Sequence, residues 1–506
     1  MEQKYPIGIQ DFLEVRVNNY LYIDKTESIY KVTSVGKYNF LSRPRRFGKS
    51  LLVSTLDYLF KGRKDLFTGL FIEDKWDWSK KNPVIKISFS NIGHKYLGLK
   101  DAIDKRLNEI AQEFEISLTA TTIDQKFKEI IEILAKNVGK VVVLIDEYDK
   151  PIIDYLGTDT AKAVENRDVM KAFYSILKDA DPHLQFVFIT GVSKFARVSI
   201  FSDLNNLLDL TIDNRMSGIC GITQIELEHY FAEELKEFDI NQIKIWYNGY
   251  TWDLKTRVYN PFSLLNFFIK KQFQNFWFET GTPTFLINLT KELQLFDFDK
   301  QETSLIHLST FDIENIDLIP LMFQTGYLTF KDYDEIGEIY TLGFPNKEVK
   351  KSYLEILLDA YTSPVSGKRG IVMVNELRKL LIANDLERLQ SILNTLYQSI
   401  PYTLWQKDNE AYYHAIIHLT FNLLGIYVDS EIMLSDGRID TLVRLEKYVY
   451  CFEFKLDVSV DEALTQIKQK GYLQPYLNSG KECIAIGVNF SKELKKIAEI
   501  KWESVN

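Results

Sequence analysis

Lys49 stands between Gly48 and Ser50, and an apolar pattern at helical spacing (Leu51, Leu52, Thr55, Leu56, Leu59, Phe60) follows directly. A helix that starts here turns its free backbone N–H groups and positive dipole end toward an anion. The ammonium can then sit on the β- and γ-phosphates, and the hydroxyl can ligate Mg²⁺. On this chemistry Gly48, Lys49, Ser50 and Leu51 bind ATP, Ser50 also holds the metal, and Arg45 or Arg46 assists the phosphates. One position departs from the common loop. Its first glycine is replaced by Arg43, so the turn is made without the most permissive residue. An ordinary helix start is the competing reading.

A second feature favours the nucleotide. Val141-Val142-Val143-Leu144-Ile145 is a continuous apolar run of the kind found in buried parallel strands, and it ends in Asp146-Glu147. An acid at that end can hold Mg²⁺, and a second acid can polarise the attacking water. Asp146 is therefore assigned to the metal and Glu147 to catalysis. Another buried run, Phe186-Val187-Phe188-Ile189, closes on Thr190 and Ser193, both candidates to read the terminal phosphate. Simple strand-end hydrogen bonding is their alternative. Arg197 is a candidate to reach a phosphate of its own or a neighbouring subunit.

A separate constellation lies near the end of the chain. Glu431 to Leu434, Arg438 to Leu445 and Val449 to Lys455 read as three strands, with turns near Ser435-Asp436-Gly437 and Glu446-Lys447. A second turn centred between residues 446 and 447 sets Asp440 directly opposite Glu453. A first turn centred on 435–436 or 436–437 brings Glu431 to the same face, and Lys455, two residues past Glu453, shares it. Carboxylates across a ladder repel, so the arrangement asks for a cation, and Mg²⁺ suits oxygen ligands best. Asp440 and Glu453 then hold a metal that activates water, with Lys455 assisting the hydroxide. A surface hairpin with salt bridges is the alternative.

Several domains must position these groups. The 506 residues, 46% of them hydrophobic, suffice for about three. A net charge of −9 excludes a generally basic surface, so any nucleic-acid contact comes from local patches. Cys220, Cys451 and Cys483 form no paired or metal-binding spacing, which fits a reducing, cytoplasmic setting. The start resembles no signal peptide and no run approaches transmembrane length, so no membrane partner is expected. Leu99 to Lys136 is a long amphipathic stretch returning the chain to Val141, and Asp24 is read as the cap of a helix through Tyr30. Thr223 to about Ile400 is mostly helical, broken at Gly249, Pro261 and Gly281-Thr282-Pro283. Within it, Leu318 to Phe330 and Glu338 to Leu342 read as a wing-like hairpin region. The expected boundaries are 1–222, 223–399 and 400–506.

Ser42-Arg43-Pro44-Arg45-Arg46-Phe47-Gly48-Lys49-Ser50-Leu51, with Tyr22-Ile23-Asp24-Lys25-Thr26 before it and Ile145-Asp146-Glu147-Tyr148-Asp149-Lys150 after it, resembles a known family. It is that of the AAA-ATPase-like proteins carrying a C-terminal PD-(D/E)XK nuclease-superfamily domain. The likeness continues through Phe195 to Asn206, Trp246-Tyr247-Asn248-Gly249-Tyr250, Tyr259-Asn260-Pro261-Phe262 and Gln324-Thr325-Gly326-Tyr327-Leu328, most of the chain. Arg43 is then a family trait. The resemblance implies an α/β architecture: an additional-strand P-loop NTPase core with a helical lid and linker module, followed by a small α/β nuclease-like domain. In that core the strand ending at Thr190 lies between the loop strand and the Asp146 strand. A helix before the nuclease sheet lends Glu410, and one after it lends Gln466, with Tyr472 beyond. Glu410, His414 and His418 also share a helical face that zinc could use, although no third strong ligand is near.

Together these features describe an ATP-binding, ATP-hydrolysing protein coupled to a Mg²⁺-dependent nuclease acting on nucleic acid, DNA being favoured. Homo-oligomerisation stays open. The rivals are a non-catalytic nucleotide switch with a C-terminal interaction module, and a protein whose middle module reads nucleic acid.

Overall fold

The computed structural model describes residues 4–194, 200–201, 204, 206–277, 284–293, 295, 297–309, 312–362, 370–398, 410–428, 433–435, 438–491, 493–494 and 496–505. For 284, 397–398, 410–414, 427–428, 433–435 and 438–440 it describes the backbone alone. Two compact units emerge: Met1–Thr280 with Phe298–Val349, and Gly281–Asp297 with Lys350–Asn506.

Strands that are apolar on both faces need cover on both faces, which a parallel sheet between helices provides. The first unit builds such a sheet from β1 (Tyr38–Ser42), β2 (Val84–Ser88), β3 (Val141–Asp146), β4 (Leu184–Gly191) and β5 (Leu208–Asp209). Their order is β2-β3-β4-β1-β5 and every pairing is parallel. β4 thus lies between the loop strand β1 and the acidic strand β3, as the resemblance implies. The register Ser42↔Gly191, Ile145↔Ile189 and Ser88↔Asp146 brings the carboxyl ends of four strands to one edge, where crevices in such sheets form. The helix Lys49–Phe60 leaves from that edge. The long amphipathic stretch is two helices, Leu99–Glu113 and Ile123–Asn137, interrupted where Glu115 takes a φ of +57°. The helix after Asp24 starts at Thr26 with Lys25 as its cap residue; Asp24 instead accepts from Thr26 N and Phe71 N, both at 2.8 Å.

Beyond a short ribbon, β6 (Ile222–Thr223) with β7 (Val258–Tyr259), the wing-like expectation needs correcting. Leu318–Thr325 is a helix, because Asp317 accepts from Ile319 N at 3.2 Å and caps it. The hairpin comes after it, in an antiparallel sheet of β8 (Gln301–Ser304), β10 (Ile339–Gly343) and β9 (Thr329–Asp334), in that order. Its exposed end carries Asp332, Asp334, Glu335 and Glu338, charges that repel a phosphate backbone.

The second unit holds a sheet of β11 (Met433–Ser435), β12 (Arg438–Arg444), β13 (Tyr448–Leu456), β14 (Glu482–Ser491) and β15 (Lys496–Val505), in that order. Only β13 and β14 run parallel among its pairs, so a crossover is required, and the helix Val460–Lys470 supplies it. A helix, Glu410–Val428, precedes the sheet. Glu431, the Asp436-Gly437 turn and Arg197 lie outside the described residues. Among the described residues no helix is long and apolar enough to cross a membrane.

Candidate active sites

At the end of β1 the chain meets Arg43, and this residue explains how the loop turns without a glycine. Its side chain is fully buried and lies 4.0 Å over the Trp252 ring. It donates to the carbonyls of Ser42 and Thr211 at 2.9 Å and of Met216 at 3.1 Å. Burial brings its pKa down to about 10, so it stays charged near neutral pH. The turn itself is made by Arg46 at φ +69° and Gly48 at φ +90°. Lys49 then opens the helix, and its buried ammonium donates to the carbonyls of Arg43 and Pro44, both at 2.9 Å. Burial pushes Lys49 down, against the pull of Asp146 and Glu147.

Asp146 ends β3 beside this helix start. Burial raises its carboxyl above the usual range, while the Ser50 hydroxyl and the Lys49 charge oppose the rise. Its Oδ1 is buried without a hydrogen-bond partner. Glu147 holds a φ of +51°, a region costly for a residue with a Cβ, and is raised by burial and then by Asp146. Gly48, Lys49, Ser50, Asp146 and Glu147 therefore come together. Thr190 is different: its buried hydroxyl donates to Leu41 O at 2.7 Å, the strand-end alternative. Ser193 turns to Asp149, whose Oδ2 accepts from Ser193 N and Oγ at 2.6 Å and from Val192 N at 2.9 Å. Sequence reasoning passed over Asp149, although three acids within four residues after an apolar run was an available signal. Arg45 is exposed, and Arg46 donates to Phe276 O at 2.9 Å. Leu51 joins Pro6, Leu21, Tyr22, Phe47 and Gly48 in lining a largely apolar cleft beside the loop.

In the second unit, Asp440 pairs with Glu453 in the antiparallel ladder, and Glu453 pairs with Gly487 on its other side. Glu453 is 1% exposed. Its Oε1 lies 2.6 Å from Lys455 Nζ, and its Oε2 is buried without a hydrogen-bond partner. Lys455 also donates to Gln466 Oε1 at 2.6 Å. Gly487 explains that last contact. A Cβ there would meet the Val460 carbonyl at 2.7 Å and Ala463 Cβ at 3.2 Å, so its absence lets the helix Val460–Lys470 settle on β14. Gln466, about one turn past Ala463, then reaches Lys455. Asn489, the ladder partner of Lys455, shares the face and has a buried Oδ1 without a partner. It was missed because a parallel register is not fixed by any turn in the sequence. Glu410 opens its helix and Asp440 sits in β12, but their side chains lie outside what is described. His414 is likewise outside, while His418 Nε2 stands 3.9 Å from Asp297 Oδ1. Tyr472 packs against the core between the sheet and the helix Val460–Lys470.

A parallel sheet with a phosphate-loop helix, joined to a mixed sheet bearing a D…ExK face, defines a P-loop ATPase-like protein with a nuclease-like domain. Comparison with known proteins agrees. Residues 6–201 match the AAA-ATPase-like family, described as "Predicted AAA-ATPase", and residues 408–500 match the PD-(D/E)XK nuclease superfamily. The "Uncharacterized protein in vnfD 5'region" of Azotobacter chroococcum mcd 1 is 41% identical over 518 residues, covering 99% of each chain. The chain belongs to this AAA-ATPase-like family with a C-terminal PD-(D/E)XK domain. The solved structure of the Aeropyrum pernix ORC1 protein in complex with DNA is 10% identical, covering 68% of this chain and 95% of that one. Its TM-score of 0.27 is too low to carry any property across.

Proposed function

We propose that the chain binds ATP with Mg²⁺ and hydrolyses it, and that its C-terminal domain is a Mg²⁺-dependent nuclease acting on nucleic-acid phosphodiesters. One observation carries the reading at both sites. Each has a buried carboxylate oxygen with no hydrogen-bond partner, Asp146 Oδ1 and Glu453 Oε2, close to a lysine. A bare buried anionic oxygen is costly, and a hard cation with oxygen ligands removes the cost.

At the first site Lys49 would exchange its loop carbonyls for the β- and γ-phosphates, and Ser50 with Asp146 would hold the metal. Backbone N–H groups from Gly48 to Leu51 would face the phosphates, with Arg45 at the rim and the base in the apolar cleft. Glu147 would orient the attacking water and accept its proton. At the second site Asp440 and Glu453 would hold the metal, and Lys455, steadied by Gln466, would orient the hydroxide; Glu410 would add a further acid. Mg²⁺ held there would supply Lewis acidity toward the scissile phosphate and would lower the pKa of water. DNA is the favoured substrate. The acidic end of the β9–β10 hairpin argues against a middle module that reads nucleic acid.

A switch without turnover is the second reading, favoured by the Thr190 hydroxyl being spent on Leu41. The test is metal-dependent cleavage of DNA and RNA by the wild type beside Glu453→Ala, with ATP turnover measured beside Lys49→Ala. A wild type that binds ATP but neither turns it over nor cuts favours the switch.

A further inference from the structure

The chain passes between its two units three times, after Thr280, after Asp297 and after Val349. Inside the first unit, one buried carboxylate ties together the segments leading into two of these passages. Glu348, in the first turn of the helix Lys347–Tyr361, is fully buried, and its Oε1 accepts from Phe276 N at 2.7 Å and Trp277 N at 2.9 Å. The carbonyl of the same Phe276 is taken by the phosphate loop: Arg46 Nη1 donates to it at 2.9 Å. The guanidinium lies 3.6 Å over the Phe262 ring, so stacking and hydrogen bonding fix it together. Arg46 also has the left-handed backbone that makes the loop's turn, two residues before Gly48, and a residue with a Cβ keeps such a conformation only where its surroundings impose it.

We propose that Arg46 and Glu348 are positioning residues that latch the phosphate loop to the Phe276–Trp277 segment, so that phosphate bound in the loop is felt where the chain leaves the first unit. The proposal rests on the reading of this loop as an ATP site. Phosphate on the loop's N–H groups fixes the left-handed turn, the fixed turn steadies the guanidinium, and the guanidinium steadies the peptide that Glu348 grips from the other side. Ordering one end of such a chain reduces local opening at the other.

Hydrogen exchange on the full chain tests this, following the Phe276 and Trp277 amides with and without Mg²⁺–ATP while ATP affinity is measured in parallel. In the wild type ATP is expected to slow these amides about tenfold, equivalent to roughly one net hydrogen bond. Arg46→Lys keeps the charge but loses the fork and the stacking plane, and should abolish the slowing while still binding some ATP. Phe262→Leu, which removes the ring beneath the guanidinium, serves as the second variant should Arg46→Lys not fold. ATP binding to the wild type without slowing, or full slowing in the folded variant, overturns the latch alone. A wild type that binds no ATP overturns the ATP reading and the latch with it.

Discussion

Asp440 and Glu453 are direct partners across the β12–β13 ladder, and the lysine two residues past Glu453 is held by both Glu453 and Gln466 at 2.6 Å. Two acids placed this way repel unless something positive joins them. Glu453→Gln should therefore weaken Mn²⁺ binding more than Gln466→Ala does. Gln466 reaches Glu453 only through Lys455, so its removal should cost no more than about 10–100-fold in metal affinity, the range typical of a group bonded directly to a ligand. Calorimetric titration of Mn²⁺ into both variants checks the order, and equal losses would contradict it.

Lys49→Ala is expected to weaken Mg²⁺–ATP binding by about 10–100-fold, since a charge-assisted hydrogen bond contributes roughly 1.5–3 kcal/mol. Asp440→Ala, in the other unit, should leave ATP turnover intact. Parallel binding and turnover measurements decide it; loss of ATP turnover in a folded Asp440 variant would mean that the two sites are not separate engines.

Restoring the common glycine at Arg43 should harm the protein. Arg43→Gly takes a donor from the carbonyls of Ser42, Thr211 and Met216, of which Met216 O keeps Ile219 N at 3.2 Å, and removes the guanidinium from the Trp252 ring. Unpaired buried groups cost about 1–3 kcal/mol each, so a loss of about 3 kcal/mol or more in urea unfolding is expected. An unchanged midpoint would remove Arg43 as the strut of the loop.

Glu348 gives a pH prediction with a definite sign. Burial raises its pKa from 4.5 to about 7, against hydrogen bonds from Trp277 N, Ser263 and Phe276 N and the charge of Arg46. Tyr247 and Tyr250 also face it. The folded state therefore holds the proton more tightly, and the stability tied to it is full below pH 4.5 and is lost as pH rises through about 7. Glu348→Gln keeps an acceptor without the charge. Its stability should match the wild type near pH 4.5 and exceed it above pH 7 by up to about 3 kcal/mol, the worth of such a shift. Unfolding curves of both proteins across that range check the sign.

Some of this was legible in the residues alone. A tight turn at Glu446-Lys447 fixes parity, so the pairing of Asp440 with Glu453 followed from counting. An apolar run ending in Asp146 announced a buried strand with an acid at its mouth. What escaped were contacts whose partners are far apart and joined by no turn: Ser193 with Asp149, 44 residues away, and Phe276 with Glu348, 72 away. Gly487 escaped for the same reason, because its meaning lies in a helix that passes over it. Leu318–Thr325 was misread because a short apolar stretch has no period that separates strand from helix.

The insertion of β4 between β1 and β3 also governs the order in which the protein can be made. Leu41 and Thr190, neighbours in the sheet, are 149 residues apart. A ribosome that has released Asp146 has already delivered the Gly48-Lys49-Ser50 loop and the acidic end of β3, yet the strand that seats them side by side is still unmade. Until it emerges, two apolar runs stay without their neighbour, which leaves the nascent chain open to aggregation.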